Sequence, residues 1–189
     1  MTAALSGAPP ADGWTVDDLD ALPDDGIRRE LIDGALHVSP SPTSVHQVLA
    51  AYLMVALDQS CPDRYFVSQS NDVQLSARRL FIPDVLVTTF AAAQRRSGSF
   101  AADEVMLAVE IVSPGSQSID RVLKPALYAK AGIPHFWLIE TDGGITVQTY
   151  RLDSKAEIYQ PSGTFTDVIR ADAPWPIEIP IDGLRPRNF

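Results

Sequence analysis

Cysteine is nearly absent from this 189-residue chain. Cys61 stands alone, so neither an internal disulfide nor a multi-thiolate zinc site can form. Nothing implies an oxidising compartment, and a cytoplasmic protein is the expectation. Long apolar runs are missing too: the longest, residues 48–57, falls far short of the roughly 20 residues a membrane span requires. No basic residue precedes the short apolar patch before Gly13, so the layout of a secretory signal is lacking and residues 1–13 read as a loose tail. Also lacking are a Walker-type glycine loop, a GxSxG elbow and a dinucleotide fingerprint, which removes support for nucleotide hydrolysis, serine hydrolysis and nicotinamide chemistry. His37, His46 and His135 show no metal-ligand spacing, and each reads as an ordinary capping or half-buried histidine.

Positive charge is scarce. Against 24 acids stand 15 Lys and Arg, a net charge of −9 that argues against a protein coated for phosphate binding. Six of those acids fall in residues 1–25, which carry no Lys or Arg, so the rest of the chain holds 18 acids against 15 bases and is nearly balanced. The pairs Arg28/Arg29, Arg78/Arg79 and Arg95/Arg96 leave room for a local basic surface, although a solvated face explains each pair as well. What the chain does possess is apolar material, 46% hydrophobic against 21% charged, enough for one domain with a core of its own. The expected organisation is an acidic arm with a short helix over 1–25, a single domain over 26–184 and a tail over 185–189.

Local patterns fill in that domain. Thr15 or Asp17 caps a short helix, and Asp33-Gly34 is the turn of a hairpin spanning 29–38. Thr43 or Ser44 opens a helix to about Gln59 whose apolar positions Val48, Leu49, Tyr52, Leu53, Ala56 and Leu57 repeat at helical spacing. Strands are expected over 65–69, 72–75, 82–88 and 105–112, with a polar connection over 91–99. A helix from Ser116 or Ser118 carries Ile119, Leu123, Leu127 and Ala131 inward and stops at Gly132, with a kink expected at Pro125 unless the helix proper starts there. Strands over 135–139 and 146–151 flank an Asp142-Gly143-Gly144 turn, and a further strand pair closes the chain. The sum is α/β with a mixed sheet.

Two carboxylates sit where apolar strands do not want them. Alternation places Met106, Ala108, Glu110 and Val112 on one face and Leu107, Val109 and Ile111 on the other, so Glu110 stands among apolar side chains. A buried carboxylate costs several kcal/mol unless compensated, so Glu110 asks for a partner, a metal or a lysine. Asp84 follows Pro83 at the start of its strand; alone it reads as a turn or cap residue, but beside Glu110 it completes a pair of the kind Mg²⁺ prefers. Lys124 shares a helical face with Asp120 and Tyr128, which fits either a surface salt bridge to Asp120 or an ammonium held over a metal site. Gln74 and Arg79 fit either a phosphate contact or a solvated strand end.

Pro83-Asp84-Val85-Leu86-Val87, Val109-Glu110-Ile111-Val112-Ser113-Pro114 and the run from Asp120-Arg121-Val122-Leu123-Lys124-Pro125 through Tyr128-Ala129-Lys130-Ala131-Gly132-Ile133-Pro134-His135-Phe136-Trp137-Leu138, with Glu30-Leu31-Ile32-Asp33-Gly34 and His46 upstream, resemble the Uma-two family of the PD-(D/E)XK restriction-endonuclease-like superfamily. The likeness spans roughly residues 28–151. It implies a restriction-endonuclease-like α/β core, a central mixed sheet flanked by helices with an N-terminal hairpin and arm. It further implies Mg²⁺ or Mn²⁺ held by Asp84 and Glu110 for hydrolysis of DNA, with Lys124 as the third catalytic residue and Glu30 and Tyr128 in support. The superfamily lysine stands two residues after Glu110; that position is Val112 here, and the resemblance moves its role to Lys124. A homodimer is expected, since cutting both strands of a duplex favours two-fold symmetry. The competing reading is a silent nuclease-fold module that binds nucleic acid or protein, motivated by Val112 and the acidic arm.

Overall fold

A computed structural model describes residues 10–187 apart from 24, 39, 40, 114 and 116. Ser116, one of the two expected helix starts, and residues 1–9 of the expected tail thus lie outside the described residues. Four helices and thirteen strands follow in the order α1 (Val16–Asp20), β1 (Glu30–Ile32), β2 (Ala35–His37), α2 (Ser44–Asp58), β3 (Tyr65–Gln69), β4 (Asp72–Ser76), β5 (Arg79–Phe81), β6 (Val85–Thr89), α3 (Phe90–Ala93), β7 (Ser99–Ala101), β8 (Val105–Ile111), α4 (Lys124–Lys130), β9 (His135–Glu140), β10 (Thr146–Asp153), β11 (Ile158–Phe165), β12 (Val168–Ala171) and β13 (Ile177–Pro180).

A six-stranded sheet, β11-β10-β9-β8-β6-β3, forms the centre and is mixed, because β8 and β9 run parallel while its other pairs are antiparallel. One face buries Val85, Val87, Leu107, Val109, Ile111, Trp137 and Ile139 against Leu49, Leu53 and Leu57 of α2 and against Trp175 with β12 and β13. The other face presents Leu86, Ala108, Phe136 and Leu138 to Leu127 and Tyr128 of α4 and to Val73, Phe81 and Phe100 of a second sheet, β2-β1-β5-β4-β7. Glu110 belongs to this second face. A small cluster of Val16, Leu31 and Leu80 with Trp14 and Leu19 seats α1 on the hairpin.

Local chemistry explains the elements. Thr15 caps α1 in a capping box with Asp18, leaving Asp17 inside the helix rather than at its cap. Asp33 and Gly34 take φ of +51° and +86°, the paired left-handed geometry of a tight hairpin turn. Thr43 caps α2. Tyr52, expected inward on that helix, is 40% exposed, and Ala50 is buried in its stead.

The second strand of interest departs from expectation at its start. Residues 82–84 are not part of β6, which begins at Val85, because Pro83 brings no N–H to the ladder. The segment before it is a separate strand, β5, too short to show a period. Residues 91–99 include the end of α3 and the start of β7 rather than an unbroken loop. In β8 the alternation slips at a bulge opposite Val87 and Thr88, so Met106 packs with the α2 side and Val105 with the α4 side. The helix proper starts at Lys124 with Pro125 in its first turn, the alternative to a kink, and a π turn over Ile119–Leu123 precedes it, in which the Lys124 amide reaches back five residues to Ile119 O. β11 went unforeseen because Pro161 and Gly163 interrupt any strand pattern; it lies at the sheet edge, where a proline is tolerated.

Candidate active site

The pairing of β6 with β8 decides the site. Its register, Val85↔Val109, carried one step further sets Asp84 opposite Glu110, and directly opposed residues in an antiparallel pair share a face with Cβ atoms roughly 5 Å apart. Asp84 keeps a backbone link, its N–H donating to Val109 O at 3.0 Å. The Asp84 carboxylate then takes the amide that the interrupted ladder leaves open: Ile111 N–H donates to Oδ2 at 2.7 Å. That bond orients the side chain along the end of β8 and toward a cavity of about 640 Å³, lined by Glu30, His46, Asp84, Glu110, Asp120 and Lys124.

Glu110 finds the partners its burial demands. It is 2% exposed, Tyr128 O–H donates to Oε1 at 2.6 Å, and Lys124 Nζ donates to Oε2 at 3.1 Å. Burial raises the Glu110 carboxyl well above the ordinary range, opposed by the Lys124 charge and reinforced by Asp84, Asp120 and Glu30. The Tyr128 hydroxyl is likewise pushed well up, first by burial and then by the Glu110 charge it faces.

Lys124 is not the surface ion pair with Asp120 that the sequence also allowed. Only 5% exposed, its ammonium lies 2.8 Å from Glu30 Oε1, 3.1 Å from Glu110 Oε2 and 3.8 Å from Asp120 Oδ1, with the Phe81 ring 5.7 Å away. Burial alone would lower its pKa, but the three carboxylates outweigh that and raise it, so the ammonium is permanent. Glu30 does more than add charge. Its Oε1 also accepts the Ile82 amide at 3.0 Å, tying β1, the segment leading to Asp84 and the start of α4 into one knot. The structure therefore brings together all five residues expected to matter, Asp84, Glu110, Lys124, Glu30 and Tyr128.

His46, part of the resemblance but read as an ordinary histidine for want of metal-ligand spacing, lies at the cavity. Its Nε2 lies 3.1 Å from Asp84 Oδ2, and its buried Nδ1 has no hydrogen-bond partner. Burial lowers the imidazole pKa, yet the hydrogen bond and charge of Asp84 prevail and raise it. A signal existed: the buried stripe Leu49, Leu53 and Leu57, extended back one turn, arrives at His46 in the first turn after the Thr43 cap. Asp120 was noticed only as a neighbour of Lys124. Conversely, neither Gln74 nor Arg79 lines the cavity; Gln74 is exposed and Arg79 Nε donates to Asp33 Oδ1 at 2.5 Å.

The donor set suits a hard cation. Both bonds recorded for the Asp84 carboxylate fall on Oδ2, and the other oxygens at hand are carboxylates of Glu110 and Asp120 on the same cavity. Among the described residues no three His, Cys, Asp or Glu side chains converge as a ready-made cage. Mg²⁺ needs none, since it takes one or two carboxylates and completes its shell with water and substrate oxygens. The residues fit such an ion.

Comparison with known proteins bears on the family and the fold. A family described as "Putative restriction endonuclease", Uma2, matches residues 16–181. The chain also resembles a solved structure described as "a putative nuclease belonging to DUF820 from Anabaena variabilis", with 21% sequence identity, a TM-score of 0.70, and coverage of 90% of this chain and 96% of that one; the likeness shows a shared fold. No curated protein matches the chain.

Proposed function

The chain belongs to the Uma2 family, described as "Putative restriction endonuclease", and from that premise we propose that it is a metal-dependent nuclease that hydrolyses DNA phosphodiester bonds. The observation that carries the reading is the opposition of Asp84 and Glu110 across β6 and β8 on one cavity, with a permanent cation behind them. Asp84 and Glu110 would hold Mg²⁺ or Mn²⁺, which when bound lowers the pKa of a coordinated water and neutralises charge on the phosphate.

The chain's own groups prepare that site. Ile111 N–H and His46 pin Asp84 Oδ2, which turns the other carboxylate oxygen to the cavity. Tyr128 fixes Glu110 by one oxygen, and the Lys124 charge at the opposite oxygen opposes the burial that raises the carboxyl. Glu30 holds Lys124 there. Acting on both strands of a duplex, such an enzyme would work as a homodimer; acting on one strand, a single copy suffices. Such an enzyme would act in the cytoplasm, a reading the lone cysteine supports.

One observation favours a second reading, a nuclease fold that binds without cutting: the Lys124 ammonium is already surrounded by three carboxylates, with Val112 where the superfamily lysine would stand. Cleavage of single-stranded and duplex DNA with Mg²⁺ or Mn²⁺ separates the two. Wild type is expected to cut, and Asp84→Ala and Glu110→Ala to lose activity; cutting retained in both variants removes the catalytic assignment. Calorimetric Mn²⁺ binding lost in Glu110→Gln supports the metal site, whereas metal indifference with measurable DNA binding supports the silent module.

A further inference from the structure

We propose that Arg28 is the residue that grips the substrate at this cavity, and that the cavity takes a single strand of DNA, held through one phosphate. The inference rests on the nuclease reading and adds to it the class of substrate. Two cations line the cavity among the described residues, Lys124 and Arg28. Lys124 is buried and its charge is already shared among Glu30, Glu110 and Asp120. Arg28 is exposed, and its recorded bond is a long one, Nη2 to Ser70 O at 3.3 Å. Among the described residues no ion pair engages it, whereas Arg29 beside it is held at two points by Asp25, Arg95 by Glu104 and Arg121 by Glu140. Asp72 feels the Arg28 charge without pairing with it: burial raises the Asp72 carboxyl and Arg28 only partly offsets that. The fork of Arg28 is thus free to meet two oxygens of one phosphate.

The rest of the cavity argues for a single strand. Four carboxylates, Glu30, Asp84, Glu110 and Asp120, line it, a setting that repels a polyanion everywhere except beside Arg28, which also lines a neighbouring cavity with Ser70 and Asp72. Duplex DNA carries one charge per about 1.7 Å, and proteins that follow it neutralise several phosphates. One accessible cation cannot do so. Ile27 and Val38, 37% and 54% exposed, stand at the same mouth beside Ile82, an apolar wall suited to an unstacked base rather than to a sugar-phosphate ridge.

Fluorescence anisotropy with labelled single-stranded and duplex DNA of one sequence, in Ca²⁺ over a series of salt concentrations, tests this. The single strand is expected to bind more tightly than the duplex, with log K falling against log salt at a slope near about −0.7, the value for one phosphate contact. Arg28→Ala should weaken that binding by about tenfold to a hundredfold and flatten the slope, Arg28→Lys should keep the slope, and calorimetric Mn²⁺ affinity should stay unchanged in both. Duplex bound as tightly with a slope of several units, or Arg28→Ala indistinguishable from wild type, overturns the inference. So does failure of wild type to bind either DNA. In that event, Mn²⁺ binding that depends on Glu110 leaves the metal site standing, and its absence brings down the nuclease reading as well.

Discussion

Replacing Lys124 with Met removes the cation while keeping most of its apolar length, and the consequence follows from the three carboxylates it leaves behind. Glu30, Glu110 and Asp120 are 6%, 2% and 4% exposed, so solvent compensates little for the lost ammonium. Breaking a buried pair from one side costs about 3–5 kcal/mol, because the remaining charge stays desolvated and unopposed. In a chain of this size each kcal/mol moves the midpoint by about 2–4 °C, so calorimetry should show a fall of roughly 6–20 °C near neutral pH. The pH dependence carries a sign. Glu110 has a folded pKa above its unfolded one, so the stability linked to it is complete below the unfolded value of about 4.3 and is lost as pH rises through the folded value. Lys124 lowers that folded value; without it the carboxyl rises further and is met protonated at mild acid. Lys124 itself, raised in the folded state, stays charged in wild type until well above its unfolded pKa of about 10.4. The deficit of Lys124→Met should therefore shrink toward pH 5 and widen toward pH 8, and adding Glu110→Gln should recover part of it. A loss under about 1 kcal/mol, equal at both pH values, would show that the carboxylates do not depend on this ammonium.

Three further outcomes are expected. His46→Ala should weaken Mn²⁺ binding by about tenfold to a hundredfold while moving the thermal midpoint little, and His46→Gln, whose amide nitrogen reaches the place of Nε2, should restore most of it where His46→Asn does not; equal loss in all three variants would mean that the contact with Asp84 has no orienting role. Tyr128→Phe strips the donor from Glu110 Oε1 in a fully buried setting and should cost about 1–3 kcal/mol in urea unfolding, a result excluded if the denaturation midpoint is unchanged. Gly34→Ala meets both a φ of +86° and the Arg78 guanidinium, which already occupies the space of a new Cβ; a loss of at least about 1 kcal/mol is expected, and a neutral result would place the hairpin turn in some other geometry.

Much of the molecule was legible along the chain because its signals are local. A Thr43 cap, an Asp33-Gly34 turn and the apolar spacing of α2 are satisfied within a few residues, and the structure keeps the cap, the turn and the stripe of Leu49, Leu53 and Leu57, with Tyr52 turned outward. Glu110 announced itself for the same reason: a carboxylate in a run of Val, Leu and Ile is out of place whatever surrounds it. Asp84 was visible through Pro83, whose missing N–H ends the ladder. The shorter strands β5 and β7 were not legible, since three residues show no period, and the bulge in β8 altered an alternation that sequence alone presents as regular.

What the sequence determined by itself was which side chains needed partners; what tertiary structure decided was who those partners are. Glu110 demanded a cation or a proton donor, but choosing Lys124 and Tyr128 required α4 to begin with a π turn that brings both side chains onto the second face of the sheet. His46 and Glu30 reach the site from elements 38 and 52 residues away from their contacts at Asp84 and Ile82, distances over which no periodicity carries information. The reason is physical: helix, strand and turn preferences act over one or two turns of chain, whereas the stabilisation of a buried charge depends on which groups the closed fold places within about 3 Å of it.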